Sequence, residues 1–226
     1  MRTMSVLLVH GAGSSGAAAL ALLGECLAPF GSVQTIDDRT GDVSSLTGHL
    51  DMVGMQVGLA VGVSLGAHAL ARWAAGRPQS PQLLLCLPAW TGEPDEVARA
   101  TGHTAQRLQV LGRQALLQEM PDDADSGPGR VADLVRLGWG SYEDRELVHA
   151  LATAARQRGP TTTELATIAS RTAVLGWPDD ALHPNAVARL WTESIPDSRC
   201  FAAQSLDPIA LRRACRRAIR WLAERR

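Results

Sequence analysis

The sequence predicts a parallel, doubly wound α/β sheet. Short apolar runs rich in valine and leucine recur along the chain, each four to seven residues long and mostly without alternation. Such runs are typical of strands that are buried on both faces of a parallel sheet. Helical patterns separate the runs, and strands that alternate with helices favour this fold class. The predicted strands lie at 5–9, 32–36, 57–63, 82–87, 172–177 and 198–203.

Helical patterns at 16–28, 43–54, 65–76, 184–193 and 207–225 fill most of the connections. The last helix has the clearest signals. Asp207 is a predicted N-cap, Pro208 follows at the first helical position, and an apolar stripe runs through Leu211, Cys215 and Leu222. Arginines cover its other face, which we expect to be solvated and to suit the helix dipole rather than to form a binding patch.

One connection is much longer than the others. About 85 residues separate the strand that ends at Leu87 from the strand that begins at Thr172. Their pattern is mostly helical, with segments near 94–119, 131–137, 142–157 and 162–170, and the stretch 121–130 has the composition of a hinge or mobile loop. Ser141 is a candidate cap for the third segment, and Thr161 with Glu164 fits a capping box for the fourth. We therefore expect a core of residues 1–92 and 171–226, with a helical cap inserted at 93–170.

Composition excludes several classes of function. Net charge is about −1, which gives no electrostatic case for a nucleic acid or an anionic membrane. The chain has no lysine, so Schiff-base chemistry, pyridoxal phosphate anchoring and a Walker-type phosphate loop are excluded. Its four cysteines are scattered, and no residue cluster predicts a metal or another cofactor. No run approaches the ~20 apolar residues that span a bilayer, so we expect a soluble, cytoplasmic protein of undetermined oligomeric state.

Two glycine-flanked motifs stand at the ends of predicted strands. His10-Gly11-Ala12-Gly13 directly follows "SVLLV", and "GVSLG" at 62–66 directly follows "QVGLAV". A serine on such a sharp strand-to-helix turn exposes its hydroxyl as a nucleophile, here Ser64. The N–H of Leu65, with a second N–H from Ala12 or Gly13, would then bind an oxyanion.

These stretches resemble the α/β-hydrolase superfamily. "LLVHGAG", "VGVSLGAHAL" and "TAVLGWPDDALHP" match its oxyanion loop, nucleophile elbow and acid loop in the family's order, and the resemblance covers nearly the whole chain. It implies a reduced, six-stranded, all-parallel sheet, with the family's cap in the long insertion. It also assigns the triad acid to Asp180, with Asp179 as the neighbouring alternative.

The sequence departs from the family at the catalytic histidine. That residue normally follows the last strand, but residues 198–214 contain no histidine, and Gln204 and Ser205 stand where one is expected. A serine hydroxyl is a weak nucleophile without an adjacent base, and in serine proteases loss of the base costs roughly six powers of ten in turnover. Either another histidine has taken this role, or the chemistry is not ordinary hydrolysis.

His183, three residues after Asp180, is the best substitute and the provisional base. The alternative for His183 is a helix-start residue that packs beside the acid loop. The remaining histidines fit structural or remote positions better: His10 in the oxyanion loop, His68 one turn into the elbow helix, His49 on an early helix, and His103 and His149 in the cap.

The substrate pocket is predicted to be apolar, because tryptophans outnumber phenylalanine and tyrosine together. We expect this pocket to suit a hydrophobic acyl or polycyclic substrate better than a sugar or nucleotide. Its predicted lining is His10, Gly11, Gly13, Trp90, Trp139 and Trp177.

Three functions remain open. The first is hydrolysis or acyl transfer on an ester, thioester or amide of an apolar small molecule, with Ser64 as nucleophile, His183 as base and Asp180 as its partner. The second is isomerisation, epimerisation, cyclisation or lyase chemistry in the same oxyanion pocket. The third is a ligand-binding or partner-binding protein that has kept the fold but performs no reaction.

Overall fold

The computed structural model of the protein describes residues 5–120, 131–178, 180–205 and 207–224. Its strands are β1 (Val6–Val9), β2 (Val33–Ile36), β3 (Leu59–Val63), β4 (Gln82–Cys86), β5 (Thr172–Gly176) and β6 (Ser198–Ala202). They form one sheet in the order β2-β1-β3-β4-β5-β6, and every neighbouring pair is parallel. The predicted six-stranded parallel sheet is confirmed.

The four central strands are buried, which explains their continuous apolar composition. Alternate side chains of one strand enter opposite cores: Leu8 packs into one apolar cluster and Leu7 into the other. Helices α1 (Gly16–Leu27) and α10 (Pro208–Ala223) cover the first cluster, whereas α2 (Val43–Val53), α3 (Leu65–Ala74) and α9 (Asn185–Ser194) cover the second.

Side-chain caps begin several of these helices. Ser15 accepts a hydrogen bond from the first turn of α1, Asp42 from α2 and Asp207 from α10, where Pro208 is the first helical residue as expected. Short 3-10 helices at 28–30 and 54–56 follow α1 and α2. Local sequence therefore fixes where the chain turns back toward the sheet.

The long connection between β4 and β5 contains α4 (Glu96–Leu111), α5 (Arg113–Glu119), α6 (Val131–Trp139), α7 (Asp144–Ala154) and α8 (Thr162–Ala166). The prediction of one helical segment over 94–119 was wrong, because Gly112 adopts φ 79° and separates α4 from α5. Ser141 does not cap α7; Glu143 does, in a capping box with Glu146. The capping box of Thr161 and Glu164 is confirmed, and the expected hinge at 121–130 lies outside the described residues.

Side chains of α4, α5 and α7, with Trp139 and Tyr142, build their own apolar cluster. The chain leaves and re-enters the core at one place, where Gly92 N–H donates to the Pro160 carbonyl and Gly159 N–H to the Gly92 carbonyl. The division into a core and a cap at 93–170 stays a prediction. Among the described residues, no helix has both the length and the apolar character needed to cross a membrane.

Candidate active site

Ser64 occupies the turn between β3 and α3 in a conformation that L-residues rarely adopt, with φ 53° and ψ −116°. Two glycines make this turn possible. A side-chain carbon on Gly62 would collide with the Gly66 carbonyl, and one on Gly66 would collide with the carbonyl of Val9. Ser64 N–H donates to the Cys86 carbonyl at 2.9 Å, which ties the turn to the end of β4. The G-x-S-x-G pattern therefore forms a tight elbow with a strained serine.

The imidazole of His183 lies between Ser64 and Asp180. Its Nε2 is 3.1 Å from Ser64 Oγ, and its Nδ1 is 2.6 Å from Asp180 Oδ2. An ionised carboxylate only accepts hydrogen bonds, so Nδ1 carries the hydrogen and Nε2 is free to accept from the hydroxyl. Serine, imidazole and carboxylate thus form a continuous hydrogen-bonded chain.

Acid and imidazole reach this geometry from a single loop after β5. Asp180 Oδ1 accepts from the Leu182 N–H at 2.9 Å, so the carboxylate forms a local turn that brings the third following residue back toward it. Pro184 restricts His183 to an extended backbone, and α9 begins directly afterwards at Asn185. Asp179, the alternative acid, lies outside the described residues.

Hydrogen bonding keeps Asp180 ionised. Burial alone would raise the pKa of this carboxyl, but the hydrogen bond and charge of His183, with the Leu182 N–H, outweigh burial and lower the pKa below its usual value. The side chains of His183 and Asp180 are 19% and 17% exposed, so the imidazole is partly desolvated yet reachable by a substrate.

The oxyanion loop, residues 10–13, contacts the elbow. A side-chain carbon built on Gly11 would lie 3.0 Å from Ser64 Cβ and 3.6 Å from Ser64 Oγ. Leu65 is the first residue of α3, where backbone N–H groups have no partner within the helix. No other described residue accepts a hydrogen bond from the N–H of Leu65 or Ala12. Both donors are therefore available beside the serine.

Solved structures match this architecture over nearly the whole chain. The enol-lactonase from Burkholderia xenovorans LB400 superposes with a TM-score of 0.76 at 17% identity, over 99% of this chain and 93% of that one. The bromoperoxidase from Bacillus anthracis gives a TM-score of 0.73 at 17% identity, over 96% and 91%. A thermophilic esterase from Thermogutta terrifontis gives 0.66 at 21% identity, over 98% and 91%.

The chain has the α/β-hydrolase fold. At these identities the likeness concerns the fold alone. Neither models of known protein families nor curated protein sequences give a match to this chain.

The histidine that the resemblance leads us to expect after the last strand does not occur in the described part of the loop after β6, in agreement with the sequence. The loop after β6 holds Gln204, which is exposed, and Ser205, whose carbonyl accepts from Trp177 Nε1 at 2.6 Å. The imidazole beside the serine comes from the loop after β5. His103 and His149 are exposed on α4 and α7, and His49, on α2, lies 3.2 Å from Asp38.

His68 is fully buried in the first turn of α3 and packs between two tryptophans, as expected for a structural residue. Its Nε2 accepts from the N–H groups of Ala89 and Trp90 at 3.1 and 3.4 Å. Burial, with a smaller contribution from the charges of His183 and Arg72, lowers the pKa of His68 to about 3. This imidazole is neutral and holds the loop after β4.

The predicted lining residues lie at different distances from the serine. Gly11 contacts Ser64, and the Nδ1–H of His10 donates to the Gly11 carbonyl at 2.8 Å. Trp139 lies against Gly13. Trp90 instead packs on His68, and Trp177 is anchored to the loop after β6, so their place in a pocket stays a prediction.

Asp37, at the end of β2, was not among the residues predicted from the sequence. Its Oδ1 accepts from the Gly16 N–H at 2.9 Å and lies 3.5 Å from His10 Nε2. Burial would raise the pKa of Asp37, but the hydrogen bonds from Gly16 and Arg39 outweigh it and lower the pKa. An acidic pair directly after a strand was the available signal. No group of three or more potential metal ligands occurs among the described residues.

Proposed function

We propose that the protein is a serine hydrolase that cleaves esters, thioesters or amides of apolar small molecules, with Ser64, His183 and Asp180 as its catalytic triad. The observation that carries this proposal is the 3.1 Å separation between His183 Nε2 and Ser64 Oγ, with Asp180 at 2.6 Å on the other ring nitrogen. These distances lie within the reach that proton transfer requires.

In the first half of the reaction, Ser64 Oγ attacks the carbonyl carbon of the substrate while its proton passes to His183 Nε2. The carbonyl oxygen becomes an oxyanion that accepts hydrogen bonds from the N–H groups of Leu65 and Ala12. Asp180 stabilises the imidazolium that forms. The tetrahedral intermediate then collapses, the bond to the leaving group breaks, and His183 gives its proton to that group.

In the second half, a water molecule loses a proton to His183 Nε2 and attacks the acyl group on Ser64. Collapse of this second intermediate releases the acid and returns the proton to Ser64 Oγ. If an alcohol, thiol or amine replaces water, the same steps transfer the acyl group to it. Residues of this chain therefore supply every proton transfer.

Isomerisation or cyclisation is the alternative for a serine that lacks a base, since no histidine stands at the usual position. The position of His183 favours hydrolysis, because an imidazole lies beside the serine on the neighbouring loop. An apolar substrate is supported by the side chain of Ala12, which packs against both the sheet core and the cluster of α4, α5 and α7.

A long-chain alkyl fluorophosphonate tests the proposal, because it phosphonylates only an activated serine. We expect one adduct, located on Ser64 by peptide mass spectrometry and absent from Ser64→Ala. The exposed His103→Ala on α4 provides the matched control and should label like the wild type.

Three results would speak against hydrolysis. Turnover of a candidate substrate by Ser64→Ala would favour an isomerase or cyclase. Unchanged labelling in His183→Ala would remove the proposed base. If no adduct forms and ligands only raise the unfolding temperature, the protein is a ligand-binding member of the fold.

A further inference from the structure

Trp139, the last residue of α6, faces the oxyanion loop. A side-chain carbon built on Gly13 would lie 3.3 Å from Trp139 Nε1 and 2.9 Å from a methyl group of Leu151. Trp139 therefore brings the apolar cluster of the predicted cap onto the loop that carries the N–H of Ala12.

The indole N–H of Trp139 differs from those of the other buried tryptophans. A buried indole N–H normally has an acceptor, and four of them here donate to one. Among the described residues, none accepts from Trp139 Nε1–H. The four occupied donors are Trp73 to Asp51, Trp90 to the Gln157 carbonyl, Trp177 to the Ser205 carbonyl and Trp191 to Thr91.

This nitrogen is also accessible. The described polar side-chain atoms that are fully enclosed without a partner belong to three histidines, one arginine and one asparagine, and Trp139 is not among them. The residue as a whole is only 7% exposed. Its Nε1 atom therefore keeps some exposure although the residue is otherwise buried, and a ligand on the oxyanion loop could accept from its N–H.

Hydrogen bonds on both sides hold the backbone segment that carries this ring. Arg113 donates to the carbonyls of Trp139 and Tyr142 at 2.6 and 2.8 Å, and the Tyr142 hydroxyl donates to the Ser14 carbonyl at 2.8 Å. Ser14 follows the oxyanion loop directly. The donor is thus fixed relative to that loop before a ligand arrives, which lowers the entropic cost of a hydrogen bond to a ligand.

We propose that Trp139 Nε1–H donates a hydrogen bond to a second oxygen of the substrate, and so selects acyl groups that carry a keto, ether or carboxylate oxygen near the scissile carbonyl. This inference rests on the proposed function, since it assigns a substrate class to the same site. Discrimination arises because a substrate without that oxygen covers the N–H and leaves it unpaired.

Two esters of matched size test this specificity: p-nitrophenyl pentanoate and p-nitrophenyl levulinate, which differ by a keto oxygen in the acyl chain. In Trp139→Phe we expect the levulinate-to-pentanoate ratio of kcat/KM to fall about tenfold relative to the wild type, the value of one neutral hydrogen bond. Using the ratio cancels the intrinsic reactivity of each ester. Trp221→Phe is the matched control and should leave the ratio unchanged. Trp221 lies on α10, and its ring packs under the guanidinium of Arg171.

A direct measurement uses Ser64→Ala, which cannot consume the ester. The indole N–H resonance of Trp139, assigned by its loss in Trp139→Phe, should move downfield when p-nitrophenyl levulinate binds and should not do so with the pentanoate. An equal loss of kcat/KM on both esters together with an unmoved resonance would overturn the inference, because Trp139 would then only pack.

Failure of the proposed function looks different. In that case neither ester is hydrolysed and Ser64 forms no phosphonate adduct. The indole resonance then decides the Trp139 inference alone: a downfield movement with levulinate supports the donor, and its absence overturns it. This also covers a Trp139→Phe variant that fails to fold, because the indole resonance of Trp139 in Ser64→Ala can then be assigned by triple-resonance experiments, without a second variant.

Discussion

The loops after β5 and β6 begin side by side, since Gly176 and Ala202 are paired at the ends of these neighbouring strands. The loop after β5 carries both the carboxylate and the imidazole that face Ser64. The loop after β6 presents an exposed Gln204 and a backbone carbonyl that holds Trp177, the first residue of the loop after β5. One loop bears the proposed chemistry and the other supports it.

In the proposed triad, what matters is that the imidazole lies beside the serine, and not which strand precedes the loop that carries it. With Asp180 and His183 three residues apart, a local turn aligns acid and base within a single loop. The elbow then has to meet only one loop. The proposed triad therefore takes no residue from the described part of the loop after β6, and the following substitutions test this proposal from the largest effect to the smallest.

His183→Ala should have the largest effect. Removal of the only imidazole hydrogen-bonded to Ser64 among the described residues leaves the hydroxyl without a base, and kcat on an activated ester should fall by about 10⁶. Steady-state kinetics measure this loss, with the exposed His149→Ala as a control at wild-type rate.

The double variant His183→Ala with Gln204→His tests whether a histidine on the loop after β6 can replace the one on the loop after β5. We expect no recovery, because Gln204 points to solvent and the carboxylate of Asp180 is committed to its own loop. Recovery to within tenfold of the wild-type rate would mean that either loop can carry the base.

Asp180→Asn should lower kcat by about 10⁴, because an amide at this position favours the imidazole tautomer with its hydrogen on the wrong nitrogen.

The same variant tests how Asp180 contributes to stability at acid pH. The lowered pKa of Asp180 in the folded protein means that its stabilising contribution is complete above the unfolded value near 3.9 and is lost as pH falls through the folded value. Urea unfolding of wild type and Asp180→Asn should therefore converge at the lowest pH. A constant difference at all pH values would contradict the assigned hydrogen bonds to the Asp180 carboxylate.

The sheet could be predicted from the sequence, because the length of the apolar runs and their lack of alternation identify strands that are buried on both faces. The sequence was also sufficient for the elbow, since Gly62 and Gly66 are demanded by backbone contacts that no other residue permits. The helix break at Gly112 was not evident, because a single glycine is tolerated inside many helices.

The site was only partly predictable, for a different reason. Asp180 and His183 are close in sequence, so their pairing could be anticipated, but whether the imidazole reaches Ser64, 119 residues away, depends on how β5 is placed in the sheet. The role of Asp37 and the free N–H of Trp139 depend on tertiary contacts between β2, the oxyanion loop and α6. The acidic pair after β2 marks Asp37 as a candidate, but no local pattern encodes which residues these side chains contact.

The loop after β4 is also held by a residue outside it. His68 accepts hydrogen bonds from this loop, just as the loop after β6 accepts one from Trp177. The pKa of His68 is about 3 when folded and near 6.5 when unfolded, so the unfolded chain binds more protons in this range. Stability from the neutral imidazole is complete above pH 6.5 and is lost as pH falls toward 3. Between pH 7 and pH 5 this amounts to about 2 kcal/mol in the free energy of unfolding.

His68→Gln should remove that pH dependence while keeping an acceptor for the N–H groups of Ala89 and Trp90. Denaturant unfolding at the two pH values measures the difference between wild type and variant. His103→Gln, exposed on α4, should retain the wild-type dependence. If His68→Gln loses stability equally at both pH values, the imidazole is not held neutral in the folded protein.

Gln204→Ala should have the smallest effect, although Gln204 stands where the α/β-hydrolase resemblance places the catalytic histidine. Its side chain is exposed and makes no hydrogen bond to another described residue. We expect kcat/KM within about twofold of wild type and a free energy of unfolding within about 0.5 kcal/mol, as for surface substitutions generally. A tenfold loss of kcat/KM with unchanged stability would mean that Gln204 contributes to catalysis, and that both loops supply residues to the reaction.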